Sequence, residues 1–218
     1  MSRYYPIFLD MRGRKCLVVG GGSVAYRKAV QLLRSGARVR VVAPSLSSTL
    51  RKLGRRDSID LRERTYRPSD ISGSELVFAA TDDSSVNRQI RRDARSSHAL
   101  VNVVDASDKG DFIMPAIIKK NRITIAVSTD GTASYAAVLI KERIEKLMSP
   151  GYMKLMDAVI RVRSRLMRIK KSGVNIDIGH ELKRLSLGRL SRDIRRHDTA
   201  STRRYSEDFI ASCVRRGK

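Results

Sequence analysis

Three consecutive glycines stand where this chain could bind a phosphate group. An apolar run, Cys16 to Val19, leads into Gly20, Gly21 and Gly22, and helical spacing follows from Val24 to Leu33. In a strand–turn–helix, Gly20 allows the tight turn and Gly22 has no Cβ to keep the backbone away from a pyrophosphate. Ala25 completes the Gly-x-Gly-x-x-Ala spacing and is small enough for the helix to pack closely on the strand.

The start of the following helix favours the same chemistry. Ser23 and Val24 stand where this helix starts, and its N-terminus offers unpaired N–H groups and partial positive charge. A run of glycines can also be an ordinary loop, but the strand and helix on either side favour the binding interpretation. The sequence therefore predicts a dinucleotide site at Gly20–Val24.

Strand and helix patterns alternate over residues 1–113. Helical patterns run from Leu46 to Leu53 and from Val86 to Arg95, and the further strands are Val39–Ala43, Ile59–Arg64, Leu76–Ala80 and Leu100–Val104. This alternation predicts an α/β fold, a Rossmann-type doubly wound parallel sheet. Ligands bind beyond the carboxyl ends of such strands. The residues expected there, besides the glycines, are Ala43, Pro44, Ser45, Thr81, Asp82, Asp83 and Asp105.

The pattern changes after Asp105. Two apolar runs, Phe112–Ile118 and Ile123–Val127, predict a hairpin, and a helix follows from Ala136 to Met148, ended by Pro150-Gly151. Further helical patterns are Tyr152–Lys171, His180–Leu187 and Ser206–Val214. We therefore expect a nucleotide-binding domain at 1–113, a small α+β region at 114–150 and a helical C-terminal domain at 151–218.

Composition excludes several classes of protein. The chain has 218 residues, of which 41% are hydrophobic, so it is long and apolar enough for a globular core. No apolar stretch approaches the roughly 18 residues that span a bilayer, and the N-terminus lacks the pattern of a secretory signal. Two cysteines suit a reducing compartment. These features predict a cytoplasmic protein that does not cross a membrane.

The net charge of +23 is spread along the whole chain: residues 151–218 have +11 and the remainder has +12. Such an excess can attract nucleic acid or a polyanionic small molecule, or it can simply be a solvated surface. Aromatic residues make up 5% of the chain and tryptophan is absent, which argues against a platform for stacking single-stranded bases. His98, His180 and His197 are isolated, and no Cys/His cluster has the spacing of metal ligands, so no metal site is predicted.

Several motifs occur in an order typical of a known family. They are Tyr5–Asp10, Gly20–Lys28, Val42–Pro44, Ala79–Asp83, Asn87, Val101–Asp105, Asp111–Ala116 and Ile125–Thr129. From about Tyr5 to about Met148 the chain resembles precorrin-2 dehydrogenase, which also forms the N-terminal half of fused siroheme synthases. The resemblance implies an enzyme that oxidises precorrin-2 to sirohydrochlorin, with hydride transfer to NAD, and some family members also insert Fe²⁺.

The resemblance also implies site residues and partners. Asp105 matches a carboxylate implicated in catalysis, and a base near the nicotinamide suits loss of a proton from the same macrocycle. Asn102 joins the predicted cofactor site, and the predicted substrate contacts are Asn87, Pro115, Ser128, Thr129 and Gly131. Family members are homodimers, so residues 114–150 are expected to dimerise. The polycarboxylate tetrapyrrole is the expected partner of the basic surface, and nucleic acid is not expected to bind.

Some positions depart from the family pattern or leave alternatives open. In the loop after the last strand, Ala133-Ser134 replaces a usual Ser-Pro pair, and Val138 stands at a usual arginine. Asp105 can instead cap a turn or the next helix. The second strand ends without the acid that commonly binds the ribose, so NAD and NADP are not distinguished. The alternative function is a noncatalytic protein that senses NAD(H) or binds nucleic acid through its basic surface.

Overall fold

The computed structural model describes residues 4–56, 59–104, 110–185, 189–190, 192 and 199–217. The chain divides into two compact units, Met1–Pro115 with Ser128–Ser134, and Ala116–Val127 with Tyr135–Lys218. The division into three domains expected from the sequence stays a prediction.

The first unit contains a five-stranded parallel sheet in the order β3-β2-β1-β4-β5. Its strands are β1 Lys15–Val19, β2 Arg38–Ala43, β3 Asp60–Glu63, β4 Leu76–Ala79 and β5 Leu100–Val103. Its helices are α1 Ser23–Arg34, α2 Ser48–Arg56 and α3 Ser84–Ser96, and a short 3-10 turn, Pro68–Ile71, precedes β4. The strand order reverses between β1 and β4, which is where ligands bind in such sheets. The predicted Rossmann-type fold is confirmed.

Helices cover both faces of this sheet. Along β1, Cys16 and Val18 pack into one apolar cluster, and Leu17 and Val19 pack into another. The first cluster includes residues of α1 and α2, and the second includes residues of α3. Successive residues of a strand point to opposite faces, and the strands of a doubly covered sheet are therefore apolar throughout.

The second unit begins with an antiparallel hairpin of β6 Ala116–Lys120 and β7 Ile123–Val127. Its described helices are α4 Ser134–Leu147, α5 Pro150–Lys171, α6 Ile178–Arg184 and α7 Thr199–Arg216. A cluster around Ile118, Met148 and Met153 packs under the hairpin, and a larger one joins α5, α6 and α7. Among the described helices, none is long and apolar enough to cross a membrane.

Among the predicted boundaries that differ in the structure, two have a clear physical reason. Pro150 does not end a helix but is the first residue of α5, with the Ser149 Oγ accepting a hydrogen bond from the Tyr152 N–H at 3.2 Å. Proline loses nothing in the first turn of a helix, where its missing N–H would be unpaired. The first hairpin strand starts at Ala116 rather than Phe112, because the Phe112 ring packs edge-on against Phe78 in the first unit.

Candidate dinucleotide-binding site

Gly20 makes the turn at the end of β1. Its φ is +140°, a value that residues with a Cβ rarely adopt, and its N–H donates to the Val42 carbonyl at 2.9 Å. A Cβ at this position would lie 2.8 Å from the Ala80 carbonyl carbon and closer still to its oxygen. Gly20 is therefore required by contacts within the protein. The tight turn predicted for it is confirmed.

Gly21 is also required by the fold, for a reason that the spacing of the motif does not show. A Cβ there would lie 2.9 Å from the Ser45 carbonyl carbon and closer to its oxygen, and 3.1 Å from the Ala43 Cβ. The Ser47 N–H donates to the Gly21 carbonyl at 2.9 Å. Gly21 therefore joins the end of β1 to the loop after β2.

Gly22 differs from both, because a Cβ built on it would meet no atom within 4 Å. It is exposed and is the N-cap of α1, with no side-chain cap and no acidic residue in the first turn of the helix. Ser23 is exposed, Val24 is half-buried and Ala25 is fully buried. The open side of the corner is thus backbone at a helix N-terminus. This cradle fits the pyrophosphate of a dinucleotide.

The loop after β2 borders the same corner. Pro44 and Ser45 are exposed, whereas Ala43 is 1% exposed, so its side chain packs and only its backbone can face a ligand. Glu63, the acid in register with Ala43 at the end of β3, is held by a two-pronged ion pair with the Arg51 guanidinium. Among the residues named here, none offers an unpaired carboxylate at this strand end. The groups available to a ribose are therefore those of serine and the backbone.

Thr81 and Asn87 shape the edge of the site at the end of β4. The Asn87 Oδ1 accepts hydrogen bonds from the Thr81 hydroxyl at 2.8 Å and from its N–H at 3.3 Å, and the Asn87 Nδ2 donates to the Thr81 carbonyl at 2.9 Å. Asn87 is 8% exposed. Its amide therefore orders the loop that contains Thr81. The substrate contact expected of Asn87 stays a prediction.

Two carboxylates follow Thr81, and they have different surroundings. Asp83 caps α3: its Oδ1 accepts from the Ser85 hydroxyl at 2.6 Å and from the Ser85 N–H at 2.7 Å. These hydrogen bonds hold the pKa of the Asp83 carboxyl below its ordinary value. Asp82 is exposed beside it. Of the two, Asp82 is therefore the one whose side chain is available to a ligand.

The end of β5 is tied to the segment that follows it. The Asn102 Nδ2 donates to the Phe112 carbonyl at 2.9 Å, and the Asp111 Oδ2 accepts from the Val101 N–H at 3.0 Å. Asn102 is 7% exposed, so it positions this segment whether or not it contacts a cofactor. Asp105, the predicted catalytic residue, lies outside the described residues, and its role stays a prediction.

The other predicted substrate residues belong to the first unit: Pro115 ends its first segment, and Ser128, Thr129 and Gly131 lie in its second, Ser128–Ser134. Asp130 and Gly131 have φ values of +54° and +79°, and the Asp130 N–H donates to the Ser128 Oγ at 3.1 Å. Ser128 and Gly131 are exposed, and Thr129 accepts from the Thr132 hydroxyl through its carbonyl at 2.6 Å. Pro115 is half-buried. This turn is ordered by its own hydrogen bonds, and its substrate contacts stay predictions.

One residue of the nucleotide domain has unusual surroundings that its sequence position does not reveal. Lys28 on α1 is half-buried, with its Nζ 5.7 Å from the centre of the Phe78 ring. Burial, and secondly the neighbouring Arg27, lower the pKa of the Lys28 ammonium group. The only sign of it in the sequence was the place of Lys28 in the Gly20–Lys28 motif.

Within the described residues, no group of three or more His, Cys, Asp or Glu side chains is arranged to hold a metal.

Comparisons with known proteins agree with this geometry. The sequence model of a family described as putative NAD(P)-binding matches residues 7–116. The siroheme synthase of Nitrosococcus oceani is 40% identical over 164 residues, which are 75% of this chain and 35% of that protein. The siroheme synthase of Chromobacterium violaceum is 42% identical over 152 residues, 70% of this chain and 32% of that protein. The chain thus spans about a third of the length of these curated relatives.

A solved structure matches nearly the whole chain. It is SirC, a precorrin-2 dehydrogenase, with a TM-score of 0.74 and 25% sequence identity, and the match covers 94% of this chain and 98% of that one. The match includes the region beyond residue 150, where the sequence motifs had ended. The resemblance inferred from the motifs is confirmed, and the chain belongs to the putative NAD(P)-binding family.

Proposed function

We propose that this protein is a precorrin-2 dehydrogenase, which oxidises precorrin-2 to sirohydrochlorin with NAD⁺ as hydride acceptor. The observation that carries the proposal is the open cradle at Gly22, at the reversal of strand order, in a chain that is similar to SirC over 94% of its length. The products of the balanced reaction are sirohydrochlorin, NADH and one proton.

The residues of the corner bind and orient the cofactor. The N–H groups at the start of α1 face the pyrophosphate, and Gly22 lets the backbone approach it. Thr81, held by Asn87, borders the nicotinamide half of the cleft at the end of β4. When bound, the nicotinamide supplies the hydride-accepting carbon. NAD is proposed over NADP because Arg51 and Arg64, two cations near the carboxyl end of β3, are already paired with Glu63 and Asp70.

Asp105 is the proposed base that takes the proton released from the macrocycle. In the chain it follows β5, whose last residue, Val103, is in register with Ala79 at the end of the strand that leads to Thr81. Replacing Asp105 by asparagine keeps the shape of the side chain and removes its basicity. We expect kcat to fall by about two orders of magnitude or more, the usual contribution of general base catalysis, with the Kd of NAD⁺ unchanged.

The test is an anaerobic assay of the purified chain with precorrin-2 and NAD⁺, following NADH absorbance and the sirohydrochlorin spectrum. Asp108→Asn is the matched control, since this nearby acid has no predicted role. Equal turnover by the wild type and Asp105→Asn would contradict the catalytic assignment. No turnover by the wild type would contradict the function itself. Adding Fe²⁺ to the product mixture tests whether iron insertion accompanies oxidation.

A homodimer is the proposed assembly, and the cytoplasm is the proposed location. The exposed apolar side chains of α4 support the dimer: Tyr135 is 75% exposed, Leu147 is 71% exposed, and Val138, Leu139 and Ile140 are 40%, 48% and 45% exposed. Apolar side chains in such number are typical of a surface that a partner covers. Residues 114–150, predicted from the sequence as the dimerisation region, contain all of them.

A further inference from the structure

The helical part of the second unit contains an open groove of about 870 Å³, lined chiefly by α5 and α7. Its cationic side chains outnumber its two carboxylates, Asp157 and Glu207, by six to two. The six are Arg122, Lys154, Arg161, Arg165, Arg168 and Arg203. All the lining residues belong to the second unit, whereas the glycine corner belongs to the first.

The two carboxylates neutralise only part of this charge. Glu207 accepts a hydrogen bond from the Arg203 Nε at 3.1 Å and lies 3.8 Å from Arg165. Asp157 accepts from the Asn121 amide at 3.2 Å. Within the described part of the chain, no carboxylate lies in ion-pair distance of the remaining four cations, which are Arg122, Lys154, Arg161 and Arg168.

The spacing of the cations puts them on one side of α5. Arg161, Arg165 and Arg168 are separated by four and three residues, so they are neighbours on one face of the helix. Like charges at this spacing weaken an isolated helix. A bound polyanion would remove that repulsion and would accept charge-assisted hydrogen bonds from several guanidinium groups at once.

The floor and size of the groove narrow the class of anion. Apolar side chains form part of its floor: Ile160 is half-buried, and Val162 and Ile210 are almost fully buried. The hydroxyl-bearing residues Ser164, Thr202 and Ser206 line the groove as well. The volume is that of a small-molecule site. The lining contains no aromatic ring on which a base of single-stranded nucleic acid could stack. An apolar ring system with carboxylates around its rim matches both the floor and the rim.

We propose that this groove is a binding site for the polycarboxylate tetrapyrrole, in addition to the site at the nicotinamide. The identity of the macrocycle rests on the proposed function, but the preference for a polycarboxylate with an apolar ring rests on the groove itself. The guanidinium groups of Arg161 and Arg168 bind rim carboxylates, and the ring lies against Ile160, the least buried of the three apolar lining residues.

The test is a fluorescence titration of the full chain with uroporphyrin, a stable porphyrin with carboxylates around its whole rim. The protein has no tryptophan, so its own emission interferes little. The groove variant is Arg161→Glu with Arg168→Glu. The control is Arg163→Glu with Lys170→Glu: both are exposed residues of α5 outside the groove lining, seven positions apart like the first pair. Circular dichroism checks that both variants stay helical.

We expect the groove variant to bind uroporphyrin at least about tenfold more weakly, because two charge-assisted contacts are lost. The control should change by no more than about threefold, since it alters only the screened long-range attraction. Protoporphyrin, with the same ring and far fewer carboxylates, should bind weakly to all three proteins. Equal loss in both variants, no loss in the groove variant, or no binding by the wild type would each overturn the proposal.

Two further measurements distinguish this proposal from a phosphate site and from failure of the proposed function. If tripolyphosphate displaces uroporphyrin at concentrations comparable to the Kd of the porphyrin, the groove is a phosphate site and the macrocycle assignment is wrong. Turnover of precorrin-2 is measured on the same samples at saturating substrate. Absent turnover in the wild type contradicts the proposed function. Normal turnover by the wild type, together with equal porphyrin affinity in the wild type and the groove variant, contradicts only the proposed groove site.

Discussion

Replacing Gly22 by alanine tests whether the glycine corner binds a dinucleotide. Gly22 has a φ of −88° and a ψ of −167°, which alanine adopts without strain, and its added Cβ would meet nothing within 4 Å. Alanine is a poorer N-cap than glycine by about 0.5–1 kcal/mol, and it gains roughly as much by restricting the unfolded chain. The free energy of unfolding without cofactor should therefore stay within about 1 kcal/mol of wild type.

The same methyl group should obstruct a bound pyrophosphate. A phosphate that approaches the bare backbone must move away by the radius of a methyl group, which breaks its hydrogen bonds to the N–H groups at the start of α1. Losing one or two hydrogen bonds to a charged group costs about 1.5–3 kcal/mol each. The Kd of NAD⁺ should thus rise at least about tenfold, with folding unchanged.

The measurement is calorimetric titration with NAD⁺ alongside thermal melts with and without cofactor. Gly151→Ala is the matched control, because Gly151 also lies in the first turn of a helix, where an added Cβ would meet only the Ser149 Oγ at 4.0 Å, but it belongs to the second unit. Gly20→Ala gives the contrasting result: it should unfold more easily by roughly 2–5 kcal/mol, from its positive φ and the overlap with Ala80. Unchanged NAD⁺ affinity in Gly22→Ala would refute the assignment of the cradle.

Three other substitutions test parts of the fold and assembly. Asn87→Ala leaves the Thr81 N–H without its acceptor and should lower the free energy of unfolding by about 1–3 kcal/mol, and Tm by roughly 2–10 °C. If Asn87 acted only in substrate binding, the variant would instead raise KM at unchanged Tm. In the wild type, the ion pair with Arg216 lowers the pKa of the Glu181 carboxyl from 4.5 to about 2, and Glu181→Gln removes that ion pair. Because the folded-state pKa is depressed, this stabilisation is complete above pH 4.5 and is lost as the pH falls through about 2. Denaturant titrations should therefore show the variant less stable by roughly 1–3 kcal/mol at neutral pH, with the gap closing in acid, and a gap independent of pH would contradict the ion-pair account. Leu139→Glu puts a charge at an exposed apolar position of α4. Light scattering should show a dimer for the wild type and a monomer for the variant, with unchanged circular dichroism. A monomeric wild type would contradict the proposed dimer.

Much of the first unit could be predicted because its signals are local. Apolar runs such as Val39–Ala43 match the observed strands within a few residues, and the segments of helical spacing between them match the observed helices equally well. The corner at Gly20–Gly22 was identifiable because a strand, three glycines and a helix adjoin in sequence. These features depend on backbone conformation and on periodicity over a few residues, which neighbouring side chains determine.

Boundaries and partners were less predictable. Pro150 was expected to end a helix, but Ser149 caps a new one there. Phe112 was expected in a strand, but its ring packs against Phe78 from a distant strand. Proline and apolar residues each suit two local structures, and the contact that decides between them comes from elsewhere in the chain.

By itself, the sequence determined that this chain has an α/β nucleotide-binding domain and which corner of it is glycine-rich. Only the tertiary structure decided which glycine faces outward: Gly20 and Gly21 lie against Ala80 and Ser45, and Gly22 remains open. It likewise brought arginines of α5 and α7 to one groove, where the sequence showed only a basic chain. The physical reason is that a site is formed by residues far apart in sequence, and their meeting depends on how strands and helices pack.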